Sequence, residues 1–501
     1  MGKILNKILL ITPPFYRLYR DPQPYNEYPL GLGYLAGAIK THTDWDVMVY
    51  NADFCSEPGV LEVGYLAGKG FYNYLNNLKN LNYYIWKEVI SVLSEFNPSV
   101  VGISATSQTF ASACNIAAFV KDISRDTIVI LGGPHASMLG AKILNNPNFD
   151  IVVMGEGENT IVELLKTLES EEDLQKINGI SYRKGLQIFE NAPRELIEDL
   201  DSLCWPHEYL WEVLKDYEKY PLEAFRSIMA IRGCPYNCFF CGSRKIWTQK
   251  VRFRSPENVV KEIQSLEKKG LRHFRFHDDT FGVNGQYINN LCQALIIHCP
   301  SAAWDCEMHV KLVDDFTVSL MKRSGCRLIQ IGIESGNNKM LKDIRKGITI
   351  ESALSAAAII KKHNISLQAF FMVGFPQETE ETLQDTVRAM KRVAADYLAY
   401  NIFMPYPGTE AFEFCKTNGL IKDDYDVSLY NHQSPLNCFC LNISPERFRI
   451  LASKIERMVD RKNRLKKIRR IFSLSTLHKI RKLGLISSFK YGIKLFLGKS
   501  N

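Results

Sequence analysis

At 501 residues, with 46% apolar and 23% charged side chains, the chain has an ordinary globular composition and is long enough for two or three domains. Its longest apolar runs, such as Ile8 to Ile11 and Ile128 to Leu131, are too short to span a bilayer, and Lys3 and Lys7 flank a run that goes straight into Pro13-Pro14, so the reading is a cytoplasmic protein without a signal peptide. The formal charge of +8 is uneven: Arg461 to Asn501 holds thirteen Lys and Arg and no acidic residue, leaving the rest five units negative and confining any membrane or nucleic-acid argument to that tail.

The first segment alternates buried strands with helices. Strands are predicted at Lys7–Thr12, Asp46–Asn51, Ser99–Ser104, Thr127–Leu131 and Asp150–Met154, and helices at Gly31–Lys40, Tyr83–Phe96, Ser112–Ser124 and from Asn159. Apolar β-branched runs separated by helices imply a parallel sheet covered on both faces, a doubly wound Rossmann-like domain over 1–178. Its glycines fall where such sheets bind ligands: Gly132-Gly133 after the fourth strand, and Gly155 and Gly157 after the fifth. Residues 179–224 read as a hairpin and linker ending in Asp199-Leu-Asp-Ser-Leu-Cys-Trp-Pro206.

A second alternation fills 225–430. Strands are predicted at Ser227–Arg232, His273–His277, Ala303–Met308, Leu328–Ile333, Leu367–Val373 and Tyr397–Phe403, with helices at Pro256–Lys269, Gln286–His298, Asp314–Ser324, Ile350–His363 and Glu380–Ala394. Six βα units in a row predict a partial (β/α)6 TIM-type barrel with its active site at the strand carboxyl ends. A helical extension over 431–501, basic from 461, completes the chain. In it Lys462, Lys466, Arg469 and Arg470 interleave with Leu465, Ile468 and Phe472 at helical spacing, and Leu477 to Leu497 continues in that style. Such a face suits an anionic membrane surface, docking on the barrel, or RNA; nothing marks DNA binding.

Thirteen cysteines are scattered mostly as single buried residues. Cys438 and Cys440 are close in sequence as a Cys-x-Cys pair, but carry no functional reading. Cys234, Cys238 and Cys241 differ: in Ile231-Arg-Gly-Cys-Pro-Tyr-Asn-Cys-Phe-Phe-Cys-Gly-Ser243 they directly follow the first barrel strand. Chance places such a Cys-x3-Cys-x2-Cys in roughly one chain in a hundred of this cysteine content, which is a poor explanation of it. Three thiolates on one loop can each ligate one iron of a [4Fe–4S] cluster, leaving the fourth iron open. A zinc knot would want a fourth Cys or His at short spacing, and His207 is the nearest histidine.

The spacing, its place after strand one and Phe240 before the last cysteine resemble the radical S-adenosylmethionine superfamily. Arg254-Ser-Pro-Glu257, Phe276-His-Asp-Asp-Thr-Phe281, Gly332-Ile-Glu-Ser-Gly336, Val373-Gly-Phe-Pro-Gln-Glu378 and Pro405-Tyr-Pro-Gly-Thr409 look like its cobalamin-associated branch, and the likeness runs to about residue 415. It implies that Cys234, Cys238 and Cys241 are the cluster ligands and catalytic centre, and that Tyr236, Phe240, Asp278, Asp279, Glu334, Gly374 and Pro376 contact S-adenosylmethionine. Asp278 or Asp279 would meet the amine, Glu334 the ribose or amine, and Gly374 and Pro376 would leave room for the adenine. The other reading of the two aspartates is a helix N-cap.

The first domain is similar to cobalamin-binding domains, with Ser104-Ala-Thr-Ser107, Gly132-Gly-Pro-His-Ala-Ser137 and Gly155-Glu-Gly-Glu158 matching their loops in order. The implied cobalamin contacts are Tyr28, Ser104, Thr106, Gly132, Gly133, Gly155 and Glu156. The Asp-x-His-x-x-Gly motif that supplies an axial histidine is missing, with Tyr28 and Asn26 at those places if Gly31 is its glycine, so cobalamin would have no histidine ligand. The resemblance implies a 5′-deoxyadenosyl radical that abstracts hydrogen from an unactivated carbon, and methylcobalamin as methyl donor. A small-molecule or lipid-like substrate and reduced flavodoxin or ferredoxin would be the partners. The alternatives are an oxidative cyclase of the anaerobic magnesium-protoporphyrin monomethyl ester type and a non-catalytic cobalamin or cluster sensor. A tRNA methylthiotransferase would carry a second cysteine trio, whereas the first domain holds Cys55 and Cys114.

Overall fold

The computed structural model describes residues 6–20, 27–57, 68–422, 425–432, 434 and 436–471. Strands β1 (Lys7–Thr12), β2 (Asp46–Asn51), β3 (Val100–Ser104), β4 (Ile128–Gly132) and β5 (Ile151–Val153) form a parallel sheet in the order β2-β1-β3-β4-β5. The order switches between β1 and β3, the point where a doubly wound sheet opens a crevice for ligands. Successive residues of β1 feed opposite cores. Leu9 and Ile11 pack with the helices Tyr84–Phe96 and Phe110–Ile123, while Ile8 and Leu10 pack with Leu30–His42 and Glu158–Glu169. Burial on both faces is why the strand reads as a continuous apolar run.

The hairpin expected between the domains belongs to this sheet. β6 (Ile180–Lys184) pairs antiparallel with β5, and β7 (Gln187–Glu190) with β6. A free two-stranded hairpin is marginal in water; here Ile180 and Tyr182 are buried in the first domain's core.

The second sheet contains β8 (Ser227–Ile228), β11 (His273–Phe276), β12 (Ala303–Met308), β13 (Cys326–Glu334), β14 (Ser366–Val373) and β15 (Tyr397–Ile402), all parallel, in the order β15-β14-β13-β12-β11-β8. This is the six-stranded partial barrel. Its first strand is not continuous as expected. Asp278 Oδ1 accepts the amides of Ala230 (2.8 Å) and Ile231 (2.9 Å), and the chain turns out of the sheet. β9 (Ile231–Arg232) then pairs antiparallel with β10 (Arg252–Phe253) instead.

The open edge at β15 is covered by the helix Pro445–Ile471. Asn463 accepts from the Leu398 amide at 2.9 Å and donates to the Leu398 carbonyl at 2.8 Å, and Lys462 donates to the Met390 carbonyl at 2.6 Å near the end of the helix Glu380–Arg392. The start of the basic tail therefore docks on the barrel; residues 472–501 lie outside the described residues. Among the described residues no helix is long and apolar enough to cross a membrane. Cys438 and Cys440 do not sit on a strand, and the Cys438 thiol donates to the Ile443 carbonyl at 3.9 Å.

Candidate active site

The cysteine loop starts where β9 ends. Gly233 has φ +102°, and a Cβ there would overlap the Lys250 carbonyl, so the tight exit from β9 requires glycine. The loop is then pinned by its backbone: Phe239 donates to the Ile344 carbonyl (3.0 Å), and Ala411 donates to the Phe239 carbonyl (3.2 Å). All three thiols are free, Cys234 and Cys238 half-buried and Cys241 exposed. Cys234 Sγ lies 3.2 Å from the Thr280 hydroxyl, and the Ser243 amide donates to Cys241 Sγ at 3.5 Å. Burial pushes the Cys238 thiol up to about 11, with Lys346 pulling the other way. An ion that binds such a thiol must displace its proton, so ligation here releases protons and strengthens as pH rises.

Among the described residues no three His, Cys, Asp or Glu side chains converge on one metal ion. A cubane cluster takes its ligands at separate corners, one iron each. Thiols spaced along an open loop, with the Lys346 ammonium among them to offset an anionic thiolate cage, fit that group.

Lys346 pairs with Glu334 at 2.8 Å, each side chain 10% exposed. Burial alone would depress the lysine, but Glu334, Cys238 and Cys241 beside it raise it above its ordinary value. Glu334 ends β13 at φ +68°, a strained conformation for a residue with a side chain, at a break in the β13–β14 register. A Cβ on Gly332 would overlap the Glu334 carboxylate and come within 2.7 Å of Lys346 Nζ, so that glycine makes room for the pair. Sequence reasoning marked Glu334 and missed Lys346, which lies twelve residues on and carries no motif.

The other expected S-adenosylmethionine contacts divide. Asp279 faces the loop, accepting from the Gly233 amide (3.3 Å) and the Ser243 hydroxyl (3.1 Å). Asp278 does not: it is buried and holds the Ala230 and Ile231 amides, and neither aspartate caps a helix. Tyr236 stacks on His309 at 3.8 Å, and Phe240 packs on Phe375 at 5.7 Å. His309, lowered to about 4 by burial, bonds the Lys346 carbonyl at 3.1 Å through Nε2 and accepts from the Lys311 amide through Nδ1. The space expected beside Gly374 is filled: a Cβ there would lie 2.7 Å from the Phe448 ring of the covering helix. The Pro376 carbonyl accepts from the Leu441 amide at 2.8 Å, so the C-terminal extension seals this loop.

Between the domains lies a cavity of about 250 Å³. Its N-terminal wall includes Ser104, Gly132, Gly133, Gly155 and Glu156, and its barrel wall Met229, Arg232, Ile246 and Trp247, which flank the cysteine loop. A Cβ on Gly132 or Gly155 would meet nothing within 4 Å, so these glycines keep a cradle open. A groove of small residues and a hydroxyl fits the passage of a cobalamin tail. Two expected contacts fall elsewhere. Tyr28 is buried against Phe225 at 5.4 Å, and the exposed Thr106 closes a turn with Thr109 before the helix Phe110–Ile123. Glu156 borders the cavity, but its carboxylate is taken by Arg232 and Arg252, each at 2.6 Å, and by the Ile197 amide at 2.8 Å. His135 is buried, lowered to about 4 by desolvation, and bonded through Nδ1 to the Ser107 hydroxyl at 3.0 Å, a packing residue.

Residues 228–390 match the radical SAM superfamily, and residues 17–165 match the B12 binding domain. The chain is a radical S-adenosylmethionine enzyme of the B12-binding branch. The cofactor set of this radical SAM enzyme is therefore a [4Fe–4S] cluster, S-adenosylmethionine and cobalamin. It is 28% identical over 424 residues to an uncharacterized methyltransferase of Pyrococcus horikoshii (83% of this chain, 84% of the relative). It is also 28% identical to an anaerobic magnesium-protoporphyrin IX monomethyl ester cyclase of Synechocystis, over 67% of each chain, and 25% identical to a cytidylyl-2-hydroxyethylphosphonate methyltransferase of Streptomyces wedmorensis (85% and 84%). The fold of the radical SAM enzyme superposes on the methyltransferase TsrM of Kitasatospora setae with a TM-score of 0.66 at 16% identity, covering 91% of this chain and 89% of that one.

Proposed function

We propose that this radical SAM enzyme is a cobalamin-dependent methyltransferase acting on an unactivated carbon of a small molecule. The observation that carries the reading is the interdomain cavity, whose one wall is the glycine cradle of the B12-binding domain and whose other wall flanks the cysteine loop. A methyl donor seated there lies next to the site where a radical would be made. The two most extensively matching curated relatives quoted above are named as methyltransferases, which supports the same reading.

When bound, the cluster with S-adenosylmethionine supplies the hydrogen-abstracting radical and cobalamin the methyl group. The chain's own residues supply position. Cys234, Cys238 and Cys241 would hold the cluster, with the Ser243 amide and Thr280 hydroxyl fixing two of the sulfurs. Lys346 would balance the negative charge of the thiolates, and Asp279 braces the entrance and exit of their loop. Glu334, Asp279 and Tyr236 would meet the polar groups of S-adenosylmethionine, while the packed rings of Phe240 and Phe375 would limit water beside the loop. Ser104, Gly132, Gly133 and Gly155 would cradle cobalamin.

Oxidative cyclisation is the second reading, favoured by the 28% identity to the magnesium-protoporphyrin ester cyclase. Product mass separates the two. An anaerobic assay with cobalamin and methyl-labelled S-adenosylmethionine is expected to give a labelled product one methylene unit heavier; an unlabelled product that has lost hydrogen would establish cyclisation.

A further inference from the structure

The cysteine loop is fastened to the B12-binding domain at both ends. Ahead of it, Arg232 sends one guanidinium nitrogen to Glu156 and the other to Glu158, each at 2.6 Å, and Glu156 also takes Arg252 at 2.6 Å. These four side chains are 2–7% exposed, and their charges cancel. Behind the loop, a Cβ on Gly242 would come 3.2 Å from Met138 of the first domain, and the helix Ser243–Trp247 continues from that contact. The Arg232 guanidinium lies 4.9 Å from the Tyr34 ring and 5.8 Å from Trp247. Arg232, Glu156, Glu158, Tyr34 and Trp247 all border the interdomain cavity.

A buried charge cluster gives little net stability against an apolar replacement, but it demands one geometry, because a lost partner leaves a desolvated charge behind. The planar fork of arginine sends a separate nitrogen to each carboxylate at fixed angles, a geometry that the point charge of a lysine ammonium does not impose. A ligand in the cavity touches the carboxylates and rings that set this guanidinium, and the guanidinium is two residues from Cys234.

We propose that Arg232 is a positioning residue that couples occupancy of the cobalamin groove to the conformation of the Cys234–Cys241 loop. The coupling is reciprocal, so a loaded cluster must tighten cobalamin binding by the same factor that cobalamin alters the cluster site. The inference rests on the two cofactor sites proposed above.

The test uses the full chain, anaerobically, with hydroxocobalamin as probe. Its dissociation constant is measured by equilibrium dialysis on cluster-loaded and cluster-free protein for the wild type, Arg232→Lys and Glu158→Gln. Wild type is expected to bind at least about fivefold tighter with the cluster present, and both variants are expected to bring the ratio to about one. A purely structural defect weakens both affinities and leaves the ratio, so a variant that keeps the wild-type ratio overturns the proposal, as does a wild-type ratio of one. Should the wild type bind no hydroxocobalamin in either state, the groove assignment itself falls, and the coupling with it.

Discussion

Glu378 is fully buried behind β14, where its Oε2 accepts the amides of Gly374 (2.5 Å) and Phe375 (3.3 Å). Among the described residues its Oε1 has no hydrogen-bond partner, and burial holds the carboxyl above its ordinary range, at about 7. The unfolded chain ionises near 4.5. Between these values the folded chain keeps a proton that the unfolded chain loses, so stability falls as pH rises through that window. Glu378→Gln keeps an acceptor for both amides and abolishes the titration. Going from about pH 5 to about pH 8, the wild type should lose thermal stability relative to Glu378→Gln; equal differences at both pH values would refute the assignment. A single residue also shows what the sequence withholds. Glu334 stood out between Gly332 and Gly336, whereas Lys346 has no neighbouring signal, and the pair exists because β13 bulges and Gly332 makes room for both heads.

At the scale of elements, the open barrel leaves β15 as an edge, and unpaired strand edges invite association. Asn463 answers it by bonding both backbone groups of Leu398. Asn463→Ala removes both bonds and should lower stability by about 1–3 kcal/mol, read as a lower thermal midpoint with earlier onset of light scattering. An unchanged midpoint would mean that the helix is held by its apolar contacts alone. The two alternating series of strands and helices were legible because period and burial agree along them. The break after Ile228 was not, since the apolar run continues through Ile231 and the turn depends on Asp278, nearly fifty residues away. The hairpin of β6 and β7 was visible as a hairpin but not as an edge of the first sheet, because local pattern carries no information on the partner.

At the scale of the whole molecule, the interdomain groove brings the first domain's glycines and Glu156 to one wall, with different parts to play there. Gly132 and Gly155 open into free space, as their place at strand ends suggests, but Glu156 serves an arginine pair from the other domain. Gly132→Val should therefore fit the fold yet fill the cradle. Its thermal midpoint is expected to stay near wild type while cobalamin affinity falls about tenfold or more, some 1.4 kcal/mol; undiminished affinity would remove Gly132 from the site. The basic tail, so prominent in composition, begins by docking on the barrel through Lys462 and Asn463.

The proposed reaction depends on the loop after β9 carrying the cluster that starts it. The most direct measurement is anaerobic purification with added cobalamin, followed by reduction in the presence of S-adenosylmethionine, for the wild type and for the triple variant Cys234→Ala, Cys238→Ala, Cys241→Ala. The wild type is expected to show brown cluster absorption and to release 5′-deoxyadenosine, and the triple variant to show neither. Deoxyadenosine that persists in the triple variant would contradict the account.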